Sequence, residues 1–165
     1  MIQQETFTLS HEFNAPQALV FNAFGNADAL NAWWGPVETN NTVITLDFRP
    51  GGIFHYQMDY NGHLSYARFV FGRIEPYDLL EFTNAFSDAS GNAIDAPFEV
   101  PLPKEIFYRL LFTEKDGITT IHLTGQSVNG SAEQVAGFVS IRESMEQGFG
   151  ATFSKLATYV HQGVH

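Results

Sequence analysis

The stretch SAEQVAGFVSIRESMEQGFGATFSKLATYV, residues 131–160, carries Val135, Phe138, Arg142, Met145, Phe149, Phe153, Leu156 and Val160 at intervals of three and four. Large side chains at that interval fall on one stripe of an α-helix. Ser131 with Gln134 three positions on is the pattern of a capping box, so the helix is expected to begin there. At about 1.5 Å per residue, one unbroken helix of this length reaches roughly 45 Å, enough to run the length of a sheet. Gly148 and Gly150 each cost up to about 1 kcal/mol relative to Ala inside it. They are read as marks of a bend or a close approach.

Upstream of this helix the pattern turns to a period of two. Residues 6–13 alternate Phe7, Leu9 and His11 with polar neighbours, as a strand does. Asn14 is then expected to cap a short helix with Pro16 in its first turn, apolar at Leu19, Val20, Phe21, Ala23 and Phe24 and ended by Gly25. A second short helix is expected over about 28–33, stopped by Gly35 and Pro36. Six strands follow, at 42–48, Ile53–Tyr60, 64–74, 79–86, 106–114 and 119–126, with hairpin signals at Asn61-Gly62 and Asp116-Gly117. Residues 87–105, with Pro97, Pro101 and Pro103, fit neither period. A segment of that length is either a flap over a cavity or a surface excursion. The expected fold is α+β: one domain over 1–165, a curved antiparallel sheet of about six to seven strands wrapped on a long C-terminal helix.

Composition narrows the functional classes. Sixteen phenylalanines among 165 residues imply either a ring-rich core or an apolar space to line. A net charge of -10, from 18 acids against 8 bases, opposes nucleic-acid backbones and anionic membrane surfaces, which need clustered Lys and Arg. No cysteine is present, which removes disulfides, thiolate chemistry and Cys-based zinc sites. No apolar run approaches the ~20 residues that span a bilayer. The first five residues are polar and lack a signal-peptide pattern, so a cytoplasmic location is expected.

Four blocks carry a family resemblance: Phe13-Asn14-Ala15-Pro16 with residues 20–24 and 30–36; Asp47-Phe48-Arg49-Pro50-Gly51-Gly52 with Phe54 and Met58; Gly72-Arg73-Ile74-Glu75-Pro76 with residues 80–83; and residues 143–149 with Leu156. In that order, and covering residue 13 to about 159, they resemble the Hsp90-ATPase-activator-homologue-like family of the START/Bet v 1-like (SRPBCC) superfamily. Gly25, Ala27, Tyr77 and Phe149 depart from the usual Thr, Pro, Pro and Trp. The resemblance implies a helix-grip fold with two short helices closing one end and a hydrophobic or amphipathic ligand held between sheet and helix. It leaves two alternatives: a polyketide cyclase/dehydratase-like enzyme using the same cavity, and a co-chaperone-like Hsp90 interaction module. The co-chaperone role belongs to longer members with an additional N-terminal domain, for which this chain is expected to have no room.

Within that frame the expected ligand-binding residues are Tyr56, Met58, Tyr66, Phe82, Tyr108 and Phe112 from the sheet and Phe138, Met145 and Phe149 from the helix. The even-numbered face of the Ile53–Tyr60 and 106–114 strands is chosen because it carries the large rings. Arg142, a charge inside an apolar stripe, is either a cavity anchor for a ligand oxygen or a side chain that reaches solvent or an acid. In an enzyme, Arg142, Tyr108 or His122 would manage protons. His122 faces either cavity or solvent, and His55 is expected to be exposed. Trp33 and Trp34 are read as an end plug with one indole inward. The six histidines show no metal-binding spacing, and His161 with His165, four apart, lie at the terminus. No metal or cofactor is therefore expected. Gly125-Gln126-Ser127-Val128-Asn129 lacks the second glycine of a nucleophile elbow, and Gly148-Phe149-Gly150 lies inside a helix, unlike a dinucleotide loop. Catalytic residues stay unassigned, and homodimerisation is left open.

Overall fold

The computed structural model describes residues 6–162. Asn61 and Gly62, at φ 51° and 87°, and Asp116 and Gly117, at 54° and 80°, adopt the left-handed backbone of two-residue hairpins. The first pair folds β3 (Ile53–Tyr60) onto β4 (His63–Glu75), and the second folds β6 (Ile106–Lys115) onto β7 (Ile118–Ser127). With β1 (Phe7–Phe13), β2 (Asn40–Leu46) and β5 (Leu79–Ser87) they form one antiparallel sheet, ordered β1-β7-β6-β5-β4-β3-β2. Two short helices, α1 (Gln17–Asn22) and α2 (Ala27–Trp33), separate β1 from the rest. Asn26 caps α2 by accepting from the Ala29 N–H at 2.9 Å. Asn14 does not cap α1: extended Pro16, at ψ 151°, occupies the cap position and the helix starts at Gln17.

The C-terminal helix differs from the single rod expected. Ser131 and Gln134 form the capping box, but α3 (Ala132–Ser140) ends at Ile141, whose φ of -105° and ψ of 9° leave the helical region. A second helix, α4, then runs from Arg142 to Gln162. The two halves have different partners. In α3, Gly137 lies so close to the 88–105 segment that a Cβ there would stand 1.7 Å from the Pro101 carbonyl oxygen. In contrast, α4 packs on α2 and β1. The chain turns at Ile141 to serve both. Gly148 and Gly150 mark neither bend nor close approach, since α4 continues through them and a Cβ at either meets nothing within 4 Å.

Facing residues across an antiparallel pair share one side of the sheet, and the register sets that side strand by strand. Tyr56 opposes Ala67, Phe54 opposes Phe69, Phe71 opposes Phe82, and Phe82 opposes Tyr108. These residues are buried together with Phe138, Phe153, Leu156 and Val160 from the helices. One end is sealed by α1 and α2, where Phe112 meets Phe21 and Phe24 at ring separations of 5.2 and 5.7 Å. Trp33 completes the plug, 4.8 Å from Phe24, with its indole N–H bonded to the Ala23 carbonyl. This is the helix-grip fold.

On the outer side of the sheet, His55 is buried rather than exposed, because the 88–94 loop folds over it at Gly91. His122 is exposed and lies against Ser10 and Thr113. Among the described residues no group of three His, Asp or Glu side chains gathers as a metal site, and His165 lies outside them. Among the same residues no helix is long and apolar enough to cross a membrane.

Candidate ligand cavity

The grip is filled at the plugged end and hollow at the other. Between sheet and α4 lies a cavity of about 410 Å³, bounded by Tyr56 and Met58 of β3, Ala67 of β4, Asn84 and Phe86 of β5, and Ile106 and Tyr108 of β6. Its helical wall is Ile141, Ser144, Met145, Gly148, Phe149 and Thr152. Buried Trp34 and Gly35 form its inner end, exposed Pro36 lies on its rim, and residues between 96 and 104 border its mouth. Residues 96–104 thus border the cavity, while 88–94 fold over His55 on the outer side of the sheet. The 88–105 segment is tied down by Arg68, which meets Glu105 at 3.3 Å, and by the contact of Pro101 with Gly137.

Of the ten residues expected from the sequence, Tyr56, Met58, Tyr108, Met145 and Phe149 line this space. The others do not. Tyr66 opposes Gln57 on the outer face, near His55. Phe82 points inward but is stacked on Phe69 at 3.8 Å, inside the filled core. Phe112 belongs to the plug, and Phe138 is wholly buried on α3. Arg142 opens α4 away from the cavity: its Nη1 donates to the Thr6 carbonyl at 3.4 Å, in an outer recess shared with Glu143 and Glu146. The anchor role falls with that placement, because the break at Ile141 turns Arg142 out of the stripe.

Trp34, expected only in the end plug, and Asn84, not singled out by the sequence, also line the cavity. The signal for Asn84 was one polar residue on the Leu80, Phe82, Phe86 face of its strand. Trp34 is 8% exposed and meets Tyr56 edge-on at 6.1 Å. Its indole N–H is shielded and has no hydrogen-bond partner among the described residues. Asn84 Nδ2 donates to the Arg68 carbonyl at 3.1 Å and to the Tyr56 hydroxyl at 3.4 Å. Since a carbonyl only accepts, the first bond fixes which way the amide is turned.

Tyr108 lies in a notch made for it. It opposes Gly125, where a Cβ would stand 2.6 Å from the ring. Burial pushes the Tyr56 phenol up to about 12, with Trp34 and Asn84 beside it pulling the other way. Burial also raises Tyr108, and its proximity to Tyr56 adds to the rise. Both phenols are therefore neutral donors near neutral pH. Among the described lining residues there is no carboxylate, imidazole or guanidinium, and Lys104 is exposed at the mouth.

Solved structures with this fold include a protein from Arthrobacter aurescens, at 21% identity and TM-score 0.79, covering 98% of this chain and 89% of that one. An AHSA1 protein from Silicibacter pomeroyi matches at 17% identity and TM-score 0.72, covering 96% and 99%. Ara h 8.0201 matches at 14% identity and TM-score 0.67, covering 95% and 97%. A search of curated protein sequences returned no significant match. The family model described as Activator of Hsp90 ATPase homolog 1-like protein matches residues 14–161, and the chain belongs to that family.

Proposed function

We propose that this protein binds one small, largely apolar molecule in the cavity between sheet and α4. The observation that carries the reading is the solvent-connected space of about 410 Å³, walled mainly by apolar side chains at one end of an otherwise filled core. A cavity of that size, apolar with a few convergent polar groups, is the usual form of a small-molecule site. The chemistry of the wall favours binding over turnover. A cyclase or dehydratase removes protons with a positioned base, and apart from exposed Lys104 at the mouth the described lining supplies neutral donors instead.

The test is titration with the neutral fluorescent probe N-phenyl-1-naphthylamine, comparing the wild-type chain with Gly148→Leu. Gly148 borders the cavity and a Cβ there meets nothing within 4 Å, so a leucine adds bulk at the cavity rim without displacing packed groups. Saturable one-to-one binding that falls at least about tenfold in Gly148→Leu is expected. Equal binding by both proteins places the probe elsewhere and defeats the reading.

A further inference from the structure

The Tyr56 hydroxyl oxygen has donors on its protein side. Asn84 Nδ2 approaches it at 3.4 Å, and the Trp34 indole N–H lies close enough to oppose its pKa rise without forming a well-aligned bond. Neither neighbour accepts there, so the proton of Tyr56 has no acceptor among the described residues. Tyr108, facing the same cavity and equally buried, likewise makes no hydrogen bond to another described group. Two phenolic donors thus border a largely apolar space with no acceptor for their protons among the described residues, so a ligand that displaces water from them and offers no acceptor is costly to bind.

The geometry points to Tyr56 and Tyr108 as a donor pair that selects a neutral apolar molecule carrying a carbonyl oxygen, with Asn84 holding the Tyr56 oxygen from behind. This rests on the cavity being a ligand site and adds the class of ligand. A carbonyl oxygen accepts two hydrogen bonds, which matches two donors. A carboxylate placed at the two phenols would surrender its hydration to neutral donors, since the one cation of the described lining, Lys104, stands exposed at the mouth. A hydrocarbon would leave both hydroxyl protons unmatched.

The pair is tested with 2-acetylnaphthalene, 2-isopropenylnaphthalene, which replaces C=O by C=CH₂ at nearly the same shape, and 2-naphthoate. By calorimetry the ketone should bind about tenfold or more tightly than the alkene and more tightly than the acid. Isotope-edited infrared spectra of the bound ¹³C=O ketone should show a carbonyl stretch lowered from its position in hydrocarbon solvent. Tyr56→Phe should shrink the ketone preference to about twofold or less and move the stretch back. Should that variant fail to fold, the wild-type affinity ratio and carbonyl shift decide alone. Equal binding of ketone and alkene, tighter binding of the acid, or an unshifted stretch overturns the inference. If none of the three binds while N-phenyl-1-naphthylamine does, the ligand class is wrong and the site stands. If that probe fails as well, the site itself is wrong.

Discussion

The two ends of the grip are built from the same strands and the same helix, yet one is solid and the other hollow. At the plugged end β3 presents Phe54, β4 Phe69 and Phe71, β5 Leu80 and Phe82, and α4 Phe153, Leu156 and Val160. At the open end the same elements present Tyr56 and Met58, Ala67, Asn84 and Phe86, and Ser144, Met145 and Gly148. The difference is one of side-chain volume on a continuous frame. Protein interiors close-pack wherever side chains allow it, so a space of this kind persists where small residues face one another. The break at Ile141 adds to it, because α3 follows the covering segment while α4 follows the sheet. The comparison therefore separates residues that carry stability from residues that leave room.

The largest expected effect lies at the filled end. Phe82→Ala removes a ring that is 1% exposed and stacked on Phe69, and it should cost about 3–5 kcal/mol. Met145→Ala, half-buried beside the cavity, widens a space that already exists and should cost about 1 kcal/mol. Urea unfolding of both variants measures the contrast. Equal losses would mean that the open end is as well packed as the plugged one.

Titration should separate the ends by pH. At the hollow end, burial first and then the opposing neighbours Trp34 and Asn84 set Tyr56 at about 12, against 10.0 when unfolded. The folded chain holds the proton more tightly, so this stabilisation is fully present below pH 10 and is lost as pH rises through about 12. Two units correspond to about 2–3 kcal/mol, and raised Tyr108 acts in the same direction. At the filled end, His11 packs against Phe13 and Phe153, and burial lowers its pKa from 6.5 while Glu12 opposes. Its contribution is present above pH 6.5 and fades as pH falls through the lowered value. Chemical denaturation from pH 5 to 12 should show the alkaline loss, and Tyr56→Phe should reduce it. An unchanged alkaline limb in that variant would show that the phenol is not buried as described.

Strand phase and helix stripe were legible in the sequence because each depends on local periodicity. They yielded the sheet, the two short helices and five lining residues, Tyr56, Met58, Tyr108, Met145 and Phe149. Tyr66 went wrong for a reason that was itself readable. A two-residue loop at Asn61-Gly62 pairs even positions with odd ones, so inward Tyr56 faces Ala67 and Tyr66 turns outward. Phe82 and Phe112 were placed on the correct face but at the wrong end, since periodicity gives the side of a strand and not the depth at which a plug seals it. Arg142 and Phe138 depended on an unbroken helix. The turn at Ile141 goes with a contact between Gly137 and Pro101, residues 36 positions apart in the chain, and no local pattern reports that.

The smallest expected effect, that of Gly148→Ala, is sharpest beside Gly137→Ala, because the two add the same methyl group on either side of that turn. Gly148→Ala replaces the poorest ordinary helix former in α4 where a Cβ meets nothing within 4 Å, and it should stabilise the chain by about 0.5–1 kcal/mol. Gly137→Ala makes the same gain in helix propensity, but its Cβ would stand 1.7 Å from the Pro101 oxygen and 3.1 Å from a Val100 methyl. Backbone cannot yield as a flexible side chain does, so either α3 or the 96–104 cover must move, at a net cost of about 1–3 kcal/mol. Thermal melts of the two variants should therefore shift in opposite directions. Amide exchange should also quicken across residues 96–104 in Gly137→Ala and stay unchanged there in Gly148→Ala. If both variants melt higher, the cover is not held by α3. The hollow end would then owe its shape to the sheet and α4 alone.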